Sequence, residues 1–135
     1  MSHSNQSWPK TTRQLAAFFQ IRAAIDHFYK EEFECAVTLA AAAEGIIPDA
    51  KDEYLFTILN ASKGLDLNAF QNWLKHGKYN GKYIDSIVID GFIAVVSLQR
   101  AITKFVAVYE KEPEDMEDFI NWCRDNGYPV PEKRP

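Results

Sequence analysis

Residues 84–109, IDSIVIDGFIAVVSLQRAITKFVAVY, decide the fold class. Within them Ile87, Phe92, Ile93, Val95, Val96, Leu98, Ile102, Phe105, Val106 and Val108 cover more than one helical face. A helix apolar on several sides belongs at the centre of a bundle or at a subunit interface. The rest of the chain therefore has to supply what surrounds it.

Toward the N-terminus, Gly77-Lys78-Tyr79-Asn80-Gly81-Lys82-Tyr83 reads as a seven-residue loop that repeats Gly-Lys-Tyr around an Asn. Before it, Leu67, Phe70, Trp73 and Leu74 mark a short helix with Asp66 as N-cap and Gly77 as stop. Tyr54, Leu55, Ile58 and Leu59 mark another between Pro48-Asp49 and Gly64, and Phe33, Val37, Ala40 and Ile47 a further one, whose run Ala40 to Ala43 lets a neighbouring helix approach closely. The first helix starts at Thr11, which with Gln14 has the form of a capping box, and carries Leu15, Phe18, Ile21, Ile25 and Phe28 along one face. Beyond the long segment, Pro113 and the acids Glu112, Glu114, Asp115, Glu117 and Asp118 open a last helix that ends at Asn126-Gly127. The expectation is an all-α protein: a single compact bundle of about six helices over 11–127 with a long apolar central helix, a flexible N-terminus at 1–10 and an extended tail at 128–135.

With 135 residues, 47% hydrophobic and 25% charged, the chain has the make-up of one globular domain. A net charge of −4 and a pI near 5.3 disfavour phosphate backbones and anionic membranes except at a local basic patch. Cys35 and Cys123 show neither metal-ligand spacing nor a disulfide framework and read as inert thiols in apolar surroundings. The N-terminus lacks the order of a signal peptide, and no apolar run is read as long enough to span a bilayer, so a cytoplasmic protein without membrane contact or cofactor is expected.

The candidate basic patch is the loop itself. Lys75, His76, Lys78 and Lys82, interleaved with Trp73, Tyr79 and Tyr83, combine charge for phosphate with rings that stack on bases. The same residues also suit a solvated turn kept soluble by its lysines. Arg22 and His27 are candidates for catalysis by an Arg-to-His spacing, although five residues along one helix turn the second side chain about 140° away from the first. His27 and Glu31, four apart, are candidate metal ligands, and Glu44 could join them through the fold. Glu44 and Asp90, the latter read as lying inside the long helix, are the acids expected to be partly buried.

Two stretches carry a resemblance: Ala24-Ile25 through Phe28-Tyr29 to Thr38-Leu39-Ala40-Ala41-Ala42-Ala43, and Asn72-Trp73-Leu74-Lys75-His76-Gly77. Their order resembles that in small bacterial helical proteins related to the HEPN class. The resemblance implies an up-and-down bundle, frequent homodimerisation, and roles ranging from RNA cleavage and nucleotide binding to scaffolding. The chain departs from the nuclease pattern because its Arg22–His27 match lies in the first helix. The resulting expectation is a non-catalytic, homodimeric binding module joined through the long apolar and alanine-rich helices; an RNA- or nucleotide-binding protein using the Lys75–Lys82 loop and a metal-dependent enzyme around His27, Glu31 and Glu44 are the alternatives.

Overall fold

Asp90 determines where the apolar segment turns into helix. Its Oδ1 accepts the Ile93 amide at 3.0 Å while its own backbone stays extended, so α4 runs from Gly91 to Tyr109 and Asp90 caps it. The expected helix over 84–109 is therefore shorter at its N-terminal end, and residues 84–90 form an irregular approach to it. Gly91 is the first helical residue. A Cβ there would lie 3.3 Å from the Phe33 ring, so the absent side chain is what permits this close approach.

The computed structural model describes residues 7–49 and 66–131. The helix expected around Tyr54 to Leu59 lies outside the described residues. Within them the chain is mostly helical, with five helices and one short hairpin: α1 (Arg13–Tyr29), α2 (Phe33–Ile46), α3 (Leu67–His76), β1 (Lys78–Tyr79), β2 (Lys82–Tyr83), α4 and α5 (Glu114–Asp125). Thr12 rather than Thr11 caps α1, its Oγ1 accepting the Leu15 amide at 3.0 Å. Asp66 caps α3 through the Ala69 amide, and Gly77 ends it in the left-handed conformation, both as expected.

Helices α1, α2 and α4 pack together, α5 covers α1, and α3 leans on α2. Ala40 and Ala43 of α2 and Ala94 and Ala101 of α4 are fully buried. These small side chains let the backbones come close while Ile21, Leu98, Ile102 and Phe105 fill the core around them. Part of the surface of the long apolar and alanine-rich helices is thus buried within one chain, while Ala42 and Phe92 stay exposed. Helix α4 has 19 residues and a window of mean hydropathy 1.5, enough by length and composition to cross a bilayer. Half of that window is buried in this bundle. The sequence reading missed this length because Arg100 and Lys104 interrupt the apolar run.

Those two cations bind the end of α2. Arg100 donates from Nε and Nη2 to Glu44 Oε1 at 3.1 and 2.8 Å in a charge-assisted pair. Lys104 Nζ donates to the Glu44 carbonyl at 2.8 Å, satisfying one of the acceptors that a helix leaves unpaired in its last turn. At the other end, Phe28 meets Phe119 and Trp122 edge-on at 5.4 and 5.1 Å, and Tyr128 stacks on Trp122 at 5.8 Å. Gln99 Nε2 donates to the Pro129 carbonyl at 2.7 Å, and Val130 packs against the core. The start of the expected tail is therefore docked; residues 132–135 lie outside the described residues.

Candidate functional site

The segment expected to be a loop is a β-hairpin. Asn80 and Gly81 both have positive φ, 51° and 81°, as in the two-residue turn whose twist matches its strands. Lys78 pairs with Tyr83, and Tyr79 with Lys82. Asn-Gly between two Lys-Tyr pairs was the available signal, overlooked because each strand has only two residues.

Two contacts fasten the hairpin to α3 and a third closes its base. Trp73 Nε1 donates to the Ile84 carbonyl at 2.7 Å, the Ile84 amide donates to the Gly77 carbonyl at 3.1 Å, and Tyr79 meets Phe70 edge-on at 5.8 Å. Trp73 and Tyr79, taken from the sequence as stacking platforms, thus brace the arm. Tyr83 is the ring left available, 78% exposed, with Lys78 Nζ 4.6 Å from its centre in a cation–π contact. Lys75 and Lys82 are also exposed on the arm. Across 66–90 the three lysines are matched by Asp66, Asp85 and Asp90, so the arm carries no excess of positive charge in an acidic chain.

His76 faces a different surface. With Asp66, Asn68, Ala69 and Asn72 from α3 and its cap, and Lys78, Asn80 and Gly81 from the hairpin, it lines an open cleft of about 440 Å³. The sequence reading missed Asp66, Asn68, Asn72 and Asn80 as site residues. Their signal was present in the four-residue steps from Asn68 to Asn72 to His76, which place the three on one helical face.

The other candidates are separated. Arg22 lies over the rings of Phe18 and Phe19, 5.5 and 4.9 Å from their centres, while His27 Nδ1 contacts Glu32 Oε1 at 2.8 Å, so the structure does not bring Arg22 and His27 together. Glu31 adopts φ 60° in the turn after α1, and Glu44 is held by Arg100. Among the described residues no group of three His, Cys, Asp or Glu could hold a metal ion. Cys35 is exposed, against the apolar surroundings expected for it. Cys123 is buried, and burial pushes its thiol up to about 11.

Compared with known proteins, the chain matches no family model, no curated protein and no solved structure.

Proposed function

We propose that the chain is a non-catalytic binding module whose α3–hairpin arm is the contact surface. The observation that carries this reading is the combination, in one short segment, of firm bracing with exposure. An indole N–H, a backbone hydrogen bond and a ring pair hold the arm, and Tyr83 projects from it 78% exposed. A solvated connection needs no such bracing, whereas a surface ordered before binding loses less entropy when a partner arrives.

A second reading, that the partner is a nucleotide or RNA, is supported by the Lys78–Tyr83 pair with Lys82 on the same hairpin. A ring and two cations suit a base and its phosphates. The HEPN resemblance implies the same partner. The matched aspartates weigh against a purely electrostatic grip. Fluorescence anisotropy with nucleotides and short oligoribonucleotides at low and moderate salt tests both readings. Saturable binding that weakens with salt and is lost in Lys78→Glu/Lys82→Glu supports the nucleic-acid reading. Binding that persists in that variant and is lost in Tyr83→Ala supports base stacking without an electrostatic grip, and no binding at either salt leaves the arm to another class of partner.

Association with a second copy belongs to the same proposal. Its support is Ile84, Val88 and Phe92, which stay exposed on the stretch after the hairpin. A monomer mass in light scattering at protein concentrations well above those used for binding rejects it. The two free cysteines support a reducing, cytoplasmic setting.

A further inference from the structure

We infer that the cleft between α3 and the hairpin holds an extended peptide segment of another protein, gripped along its backbone by Asn68, Asn72 and His76 and oriented by opposite charges at the two ends of the cleft. The inference rests on the arm being a binding surface and names its partner.

Residues four apart on a helix rise about 6 Å, and an extended chain repeats its backbone pattern about every 6.7 Å, so three side chains at successive turns stay near register with alternate residues of such a chain. An asparagine amide offers an N–H donor and a carbonyl acceptor together, which is what one residue of an extended chain presents along one edge, its N–H and C=O pointing the same way. Phosphate groups offer acceptors only and engage just the NH₂ half of each asparagine, leaving the carbonyls to water. Ala69, buried beneath them, gives the cleft a floor without bulk.

Charge sets the direction. Asp66 stands at the start of α3, and Lys78, whose ammonium also meets the Tyr83 ring, stands past its far end with the turn residue Asn80. The span from Asp66 to His76, about 15 Å, corresponds to about four to five extended residues. The segment that fits has a basic residue at the Asp66 end and an acidic one roughly four residues away at the Lys78 end.

The test uses the full chain, labelled with ¹⁵N, and a pool of end-blocked heptapeptides carrying Lys and Glu four residues apart. A second pool carries Lys at both places, and a short oligoribonucleotide serves as the competing probe. The inference expects the side-chain NH₂ signals of Asn68 and Asn72 to shift saturably with the Lys/Glu pool and less with the Lys/Lys pool. Both asparagines are at exposed positions. Asn68→Ala and Asn72→Ala are each expected to weaken binding about tenfold with an unchanged melting temperature, as two hydrogen bonds are lost. Lys30→Ala, on the exposed turn after α1, is expected to leave peptide binding in place. If neither pool moves the asparagine signals, or both asparagine variants bind as the parent does, the inference is overturned. Oligoribonucleotide binding that needs Tyr83 and Lys82 would then leave the arm standing without the peptide. Shifts confined to surfaces outside 66–84 would reject both.

Discussion

Glu44 shows how one side chain's role depends on what the fold brings to it. As a candidate metal ligand it is expected to join His27 and Glu31 through the fold; in the structure Arg100, 56 residues away, takes its carboxylate, with the two side chains only 15% and 23% exposed. Glu44→Ala leaves the Arg100 charge partly buried and unpaired, and should lower stability by about 2 kcal/mol in urea unfolding. Cys123 gives a second prediction at this scale. Its thiol loses its proton near pH 11 in the folded chain and near 9 in the unfolded one. Between those values the native state binds more protons, so stability falls as pH rises. That loss should be absent below about pH 8 and reduced in Cys123→Ala. Tyr29, raised by burial and by Cys123 and Asp118 nearby, adds its own decline above about pH 10. At about pH 8 a thiol reagent should label the exposed Cys35 quickly and the buried Cys123 only on unfolding.

At the scale of elements, the arm is separable from the bundle by the bonds that hold it. Trp73→Phe removes the donor to the Ile84 carbonyl. Gly81→Ala puts a Cβ on a residue at φ 81°, a strain of about 1 kcal/mol or more. Both should speed amide exchange at Ile84 while the melting of the α1–α2–α4 core stays within about 2 °C of the parent, because the hairpin packs chiefly on α3. Helix identity was legible in the sequence where apolar steps of three and four carried it: α1, α2, α3 and α5 begin and end within a few residues of their expected bounds. The start of α4 was misread because Ile84, Ile87 and Ile89 continue the apolar pattern upstream of the cap, and only the Asp90 side chain separates an extended approach from a helix. The hairpin was misread because lysine and tyrosine in two-residue strands leave no alternation to detect, although Asn80-Gly81 carried the turn chemistry.

For the whole molecule, the all-α reading followed from a helix too apolar to be left at a surface, and α1, α2 and α5 pack against it. The candidate site was legible in part. Lys78 and Tyr83 lie together on one face of the hairpin, with Lys82 across from Tyr79 on the other, while Trp73 and Tyr79 brace the arm, because the ring that stacks and the ring that braces look alike until the strand pairing is known. The asparagine row was missed because neutral amides at helical spacing carry no charge or metal signature.

The central claim, that the α3–hairpin arm is where the protein meets its partners, is tested most directly by a ¹⁵N shift map of the full chain with the peptide pools and the oligoribonucleotide in turn. The account predicts saturable shifts concentrated in 66–84, with the buried residues of α1, α2 and α4 unmoved. A map centred instead on the exposed Leu15 and Phe19 face of α1, or one in which no probe moves 66–84 at all, would contradict it.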